Sequence, residues 1–331
     1  MSVNLSIIIP AYQAEAFLEA CVKSIVTATE TDYELLLIDD GSTDGTAALC
    51  DRLAQSYQTI KVFHTENQGL PKARNVGLDH AVGRYIGFAD ADDVVYPHMY
   101  DRLVAAMEED VQMTACRFRR CSADEVGRAA ASTDEAETLE QAAVAERILK
   151  GCYGPFVWNK LYRRDVLERE RIRFDPLTQG AEDLFFNVRY LAVCQKAVFL
   201  RDALYDYIMR PTSIMNSFRN RRVVKSAYVS MPRGWRFASE STETMAKEVS
   251  QWAKARAVMF YQTVLRKLEC PDPAYIEETR DYVKRNKGCL LRYRWGIKFY
   301  LSALLLGMGY KPWASVFRRG LSKSCRKGAE A

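Results

Sequence analysis

The sequence has no run of about 18 uninterrupted apolar residues, the least that a membrane-spanning helix needs. Its nine cysteines are scattered. None forms a Cys-x-x-Cys pair, and the nearest two, Cys116 and Cys121, have four residues between them. That spacing excludes a zinc ribbon or a dithiol redox motif and suits reduced, mostly buried thiols. Histidine is scarce, with only His64, His80 and His98, so a His-rich metal site or a His-based hydrolase is disfavoured. No Gly-x-Gly-x-x-Gly follows the first apolar run. The Gly-Ser-Thr-Asp-Gly stretch at 41–45 lacks the lysine of a phosphate-binding P-loop. The first residues have neither a basic region nor a cleavage site, so no secretory signal is expected and the predicted location is cytoplasmic. Acidic residues are absent from 284–327.

The rest of the composition is that of a folded protein: 331 residues, 48% hydrophobic and 27% charged. The net charge of +5 conceals an asymmetry. Residues 284–331 hold twelve Lys and Arg against the single acid Glu330, which leaves the remainder acidic. An acidic body argues against a protein built around nucleic acid.

Along the first hundred residues strand and helix signals alternate. Leu5 to Ile9 reads as a strand buried on both faces. A helix is expected from Glu15 to Thr27 with Phe17, Cys21, Ser24 and Ile25 inward. Strands follow at Tyr33–Ile38, Ile60–His64 and Arg84–Ala89. This order implies right-handed βαβ units and a mainly parallel sheet, hence an α/β fold. Ligands of such sheets bind beyond the carboxyl ends of the strands, so the polar clusters at 39–46, 65–75 and 90–93 should converge on one crevice. Ser122 to Glu140 reads as a surface excursion, and Glu182 to Cys194 as a helix. A boundary is expected near 216, with a helical, basic region over 217–331.

Three clusters carry possible chemistry. Asp90-Ala91-Asp92-Asp93 crowds carboxylates that repel one another unless a cation intervenes. A hard divalent ion would take such oxygen ligands and bridge to phosphates. A turn with a helix N-cap accounts for them equally well, and Asp93 suits the cap. Asp39 and Asp40 end a strand; Asp40 can meet a nucleobase imide or ribose, while Ser42, Thr43 and Asp44 can cap the following helix. Glu182-Asp183 opens a helix, where acids commonly just face the dipole. Trp158-Asn159-Lys160 fits a packed aromatic beside a turn.

Taken together and in order, these pieces resemble family 2 glycosyltransferases with the GT-A fold, the group that builds capsules, lipopolysaccharides and other surface glycans. The matching segments are Ser6–Tyr12, Ile38–Thr46, Lys72–Leu78, Tyr85–Asp93, Trp158–Tyr162 and Glu182-Asp183, with Tyr205–Tyr207 and Arg210–Ser213 at the domain end. The resemblance covers about residues 4–216, and it implies roles. Pro10, Tyr12 and Asp40 would frame the uracil of a UDP-sugar, and Arg74 would help hold the nucleotide. Asp90 would contact ribose or sugar, Asp92 would ligate Mg²⁺ or Mn²⁺ on the diphosphate, and Asp183 would be the base with Glu182 beside it. Leu70-Pro71-Lys72 and the Ala181 before Glu182 depart from the family pattern. The function implied is inverting transfer of a sugar from a UDP-sugar to a hydroxyl of a growing glycan or lipid-linked acceptor. A non-catalytic nucleotide-sugar-binding scaffold is the alternative. A nucleotidyltransferase would show a basic, Gly-rich loop near the first strand, and Ala11-Tyr12-Gln13-Ala14 is not one. The tail, with Trp295, Tyr300 and Trp313 among basic residues, suits a helix lying on the inner face of an anionic membrane, or one docked on the protein. No nucleic-acid partner is expected.

Overall fold

A computed structural model describes residues 3–127, 133–178, 180–210, 225–243, 246–268, 272–292 and 297–317. The chain divides into two compact units, Met1–Ser213 and Ile214–Ala331.

The first unit is an α/β layer structure. Its strands are β1 (Leu5–Ala11), β2 (Tyr33–Asp40), β3 (Ile60–Thr65), β4 (Tyr85–Phe88), β5 (Val94–Val95), β6 (Met113–Cys121), β7 (Ala136–Glu140), β8 (Lys160–Arg163) and β9 (Lys196–Ile208). Its helices are α1 (Leu18–Val26), α2 (Thr46–Ser56), α3 (Leu70–His80), α4 (Met99–Ala105), α5 (Gln141–Leu149), α6 (Arg164–Arg169) and α7 (Glu182–Leu191). The strand order is β3-β2-β1-β4-β8-β6-β9-β5, with β7 also on β9. The first four strands pair in parallel, and β4–β8 is the first antiparallel junction.

Burial explains the centre. Every residue of β1 is buried, as is β2 from Glu34 onward, so both strands lie between helical layers. Gly77 lets α3 sit close to the sheet, because a Cβ there would approach Ile8 Cγ2 to 2.4 Å. Helix α1 starts at Leu18, three residues later than expected. It therefore buries Leu18, Cys21, Val22 and Ile25, while the expected inward residues Phe17 and Ser24 stay half-buried. The expected surface excursion over 122–140 is partly sheet: β7 pairs antiparallel with β9. Its alternating pattern of exposed and half-buried residues is that of an edge strand, which leaves a weak apolar signal.

The second unit is helical, with helices at Lys225–Ser241, Lys247–Lys267, Pro273–Asn286, Cys289–Arg292, Ile297–Met308 and Tyr310–Phe317. Trp313 was expected at a membrane interface. Instead it is fully buried, and its indole N–H donates to Ser302 Oγ at 2.7 Å. Its large ring fills the space between the last two helices, which a lipid-facing ring could not do. Leu301, Leu304 and Met308 are exposed and share one helical face by spacing. Among the described residues, no helix is long and apolar enough to cross a membrane. Trp295 and the segment after Phe317 lie outside the described residues.

Candidate active site

Parallel pairing aligns the carboxyl ends of β1 to β4. Ala11 faces Asp39, Asp40 faces Thr65 and Ile8 faces Phe88. Tyr12, Asp40 and Asp90 are thereby delivered to the same edge of the sheet, as the strand order requires.

On the β1–β2 side, Pro10 is buried within its strand, and Tyr12 just beyond it is 53% exposed. The Asp40 side chain is buried and accepts main-chain N–H groups from Gln68 (2.9 Å) and Gly69 (2.8 Å). Its first visible task is thus to hold the loop that opens α3. Gly41 makes the turn possible: its φ is +69°, and a Cβ would lie 2.6 Å from Asn67 N. Asp39 accepts the Ser42 N–H at 3.1 Å. It also pairs with His64 Nδ1 at 2.9 Å, and His64 Nε2 reaches Asp51 at 3.2 Å. Hydrogen bonds from Asp39 and then Asp51 push the His64 imidazole up from its ordinary value. Asp44 accepts both the N–H (3.0 Å) and hydroxyl (2.6 Å) of Thr46 at the start of α2. It thus closes a short turn ahead of α2, whose N-cap position is Gly45 rather than the expected Asp44.

The departure at Leu70-Pro71-Lys72 has a local reason. Pro71 falls in the first turn of α3, where its missing N–H costs nothing. One turn later α3 carries Arg74, which is 1% exposed. Its guanidinium donates to Asp183 Oδ1 at 2.5 Å and to Asp90 Oδ1 at 3.0 Å, and lies 3.7 Å from Glu182. The Phe174 ring covers it at 5.2 Å. Residues far apart in sequence, from the end of β4 and the start of α7, are so gathered around one buried cation on α3. Both amino groups of Arg74 are thus directed at these acids.

The acids are crowded. Burial, then Asp183, pushes Glu182 up to about 7 despite Arg74. Burial likewise raises Asp183, with Arg74 opposing. Gly180, at φ +84°, turns its N–H back onto Glu182 Oε2, so the Ala181 position serves as the bend before α7. Asp183 Oδ2 accepts the Val157 N–H at 3.3 Å.

Asp92 and Asp93 diverge. Asp93 does not cap a helix: α4 starts only at Met99, with His98 as the preceding residue. The Asp93 carboxylate is buried and accepts the Tyr205 hydroxyl (2.9 Å) and the Ile208 N–H (2.8 Å). Tyr205 Oη in turn accepts the Asp90 N–H. The Asp92 side chain is 42% exposed and pairs with Arg210 at 3.1 Å. Burial and then Asp90 raise its affinity for a proton. Among the described residues no three His, Cys, Asp or Glu side chains are grouped to hold a metal ion. A ligand set with one accessible carboxylate still fits Mg²⁺ or Mn²⁺ on a diphosphate, since such ions take one or two carboxylates and fill the rest with phosphate and water.

Two partners, Tyr205 and Arg210, fall in the segments matched at the domain end, although their contacts with Asp93 and Asp92 are set by the tertiary fold. Asn187, which donates to Asp183 O at 2.8 Å, carries no sequence signal of its own. Lys160 is buried and donates to Gly154 O, Phe156 O and Asn159 Oδ1 at 2.6–2.8 Å. Burial pushes its ammonium down to about 7, while three acceptors take all three of its protons.

The family model described as Glycosyl transferase family 2 matches residues 6–171. The chain is 33% identical over 220 residues to the uncharacterized glycosyltransferase EpsJ of Bacillus subtilis, covering 63% of this chain and 62% of EpsJ. It is 32% identical over 223 residues to the uncharacterized glycosyltransferase YibD of Escherichia coli, covering 65% and 64%. The matches thus span less than two thirds of either relative. Among solved structures, S. aureus TarS 1–349 in complex with UDP-GlcNAc aligns with a TM-score of 0.59 at 20% identity, covering 91% of this chain and 90% of that one. The mannosyltransferase PcManGT of Pyrobaculum calidifontis, in complex with GDP-Man and Mn²⁺, aligns at 0.50 with 18% identity, covering 99% and 83%. With the parallel β1–β4 edge, the ordered motifs and a family match over half its length, this α/β chain has the GT-A fold and belongs to the family 2 glycosyltransferases.

Proposed function

We propose that the protein transfers a sugar from a UDP-sugar to a hydroxyl of a growing surface glycan or lipid-linked acceptor, with inversion at the anomeric carbon. The observation that carries this reading is the Arg74 cluster. It fixes Asp90, on the donor side, and Asp183, a partly buried carboxylate of raised proton affinity, around one cation.

Asp183 accepts the proton of the acceptor hydroxyl as it attacks. Desolvation strengthens it as a base, and Arg74 and the Val157 N–H fix its orientation. Glu182 shapes its field. Tyr12 offers an exposed ring to the base of the nucleotide, with Pro10 behind it. Asp40 holds the adjoining loop, so that its remaining lone pairs meet the uracil imide or the ribose. Asp92 would hold Mg²⁺ or Mn²⁺, and Arg210 lies ready to exchange for it. A bound divalent ion supplies charge stabilisation for the departing diphosphate. A single in-line attack inverts the anomeric centre.

The reading extends to a membrane surface on the cytoplasmic side. Leu301, Leu304 and Met308 present an exposed apolar helical face in a region rich in Lys and Arg. Liposome flotation with anionic vesicles tests this: binding should fall with salt and with L304S/M308S. Equal flotation of both proteins would leave the helix as a protein-docking element.

The decisive experiment for the transfer reading is a panel of nucleotide sugars incubated with the protein and Mn²⁺ or Mg²⁺, followed by nucleotide release. Release from UDP-sugars, lost in excess EDTA and in D92N, is expected. Binding of UDP-sugars without any turnover across the panel would favour a scaffold.

A further inference from the structure

The ring of Trp158, just before β8, is almost fully buried and lies nearly parallel to three others. Tyr205 is 4.3 Å away at 19°, and Phe156 is 4.9 Å away at 11°. Tyr207 is also near-parallel, at 5.9 Å and 17°. Tyr205 is fully buried, whereas Phe156 and Tyr207 are half-buried. The aromatic column therefore starts in the core and ends at the surface.

The loop that carries Phe156 is fastened with unusual care. The buried Lys160 ammonium donates to Gly154 O and Phe156 O, although burying an ammonium is costly. The Asn187 amide donates to Pro155 O and Phe156 O. Gly154, at φ +65°, lies against the Phe156 ring, which a Cβ would meet at 2.5 Å. The next residue, Val157, gives its N–H to Asp183. A core that needed only apolar filling has no use for a buried cation to fix one half-exposed ring.

Sheet order places the column. β8, β6 and β9 lie on the opposite side of β4 from β1 and β2, which carry the residues read above as framing the nucleotide. Tyr207 lies within electrostatic reach of Asp93, Asp90 and Asp92. Carboxylates beside aromatic rings suit a ligand with an apolar face and a hydroxylated rim, and they oppose an aliphatic chain.

We propose that Phe156, at the surface end of the column, forms a carbohydrate platform on which the terminal pyranose of the acceptor stacks its C–H face, setting a hydroxyl against Asp183. This rests on the reading of Asp183 as the base. It adds to that reading that the acceptor is recognised through a sugar ring.

The test is saturation-transfer NMR of the full chain with UDP and Mn²⁺, using the methyl glycosides of glucose, galactose, mannose and N-acetylglucosamine as probes. At least one glycoside should receive saturation through its ring C–H protons. Its apparent affinity should fall by about 10-fold in F156A and equally in F156L, which keeps the volume but not the ring, and survive in F156W. Thermal unfolding verifies that each variant is folded. No saturation of any glycoside by the wild type, or retained binding in folded F156L, overturns the platform. UDP calorimetry on the wild type reports separately on the donor reading, so the two can fail independently.

Discussion

Two acidic regions lie at one end of the same sheet and are balanced in different ways. At the end of β2, Asp39, Asp40 and Asp44 accept main-chain N–H groups from nearby loops. At the end of β4 and the start of α7, the acids Asp90, Glu182 and Asp183 share the one guanidinium of Arg74, and Asp92 pairs with Arg210. Main-chain N–H groups cannot leave, so the first region is a fixed frame. Side-chain cations can exchange with ligands, and the second region holds carboxylates that bind protons more readily than usual. The frame suits binding, and the crowded cluster suits chemistry.

The largest effect should come from breaking the crowded cluster at its centre. R74A strands the buried Glu182 and the partly buried Asp90 and Asp183 and should lower stability by about 3–5 kcal/mol, as read by denaturant unfolding. R74K should recover only part of this, since an ammonium cannot match the two directions of the fork. A loss below about 1 kcal/mol would mean that the acids are solvated and that the two regions differ less than described.

D183N keeps the shape and removes the base; its amide oxygen can still accept from either Arg74 or Val157, while its NH2 cannot. Turnover should fall by at least ~10²-fold, with the UDP dissociation constant nearly unchanged by calorimetry. Equal losses in both would assign Asp183 to structure alone and merge the two regions in kind.

D40A tests the frame. It deprives the Gln68 and Gly69 amides of their acceptor and should cost about 1–3 kcal/mol of stability, with weaker UDP binding. If stability falls while UDP binds as before, Asp40 is solely a loop clamp.

The smallest effect is pH linkage. Glu182 sits near 4.5 when exposed and is raised to about 7 in the fold. Between these values the folded state binds a proton that the unfolded chain does not. Stability therefore falls as pH rises through that window. His64, also raised, acts in the same direction: its contribution is present below its unfolded value and is lost as pH passes the folded one. Unfolding at pH 5, 6, 7 and 8 should show the decline, with a shallower slope in E182Q. Parallel slopes would mean that Glu182 is ionised throughout.

What the sequence reveals follows the same divide. β1, β2 and β4 are legible because their apolar runs are buried on both faces and end in turn residues. The edge strand β7 is not, because half of its pattern faces solvent. Asp183 and Asp92 stand out through ordered motifs, and Asp44 through the turn ahead of α2. Asp93 is misread because an acid after a strand resembles a cap, whereas its partners, Tyr205 and Ile208, come from β9. The buried setting of Trp313 is hidden for a similar reason, since an aromatic among cations reads as interfacial until a facing helix covers it. Lys160 looks like a surface lysine until three carbonyl-type acceptors surround it.

The Tyr205 hydroxyl joins the Asp90 N–H to the Asp93 carboxylate. That link has a consequence in time. Residues 1–100 hold the nucleotide-side strands and could pair while the chain is still being made. The Asp90–Asp93 turn is locked only when β9 arrives, more than a hundred residues later. Such distant closure is slow to form and appears late in folding. An incomplete chain can therefore hold the β1–β4 strand ends while the Asp90–Asp93 turn still lacks its Tyr205 lock.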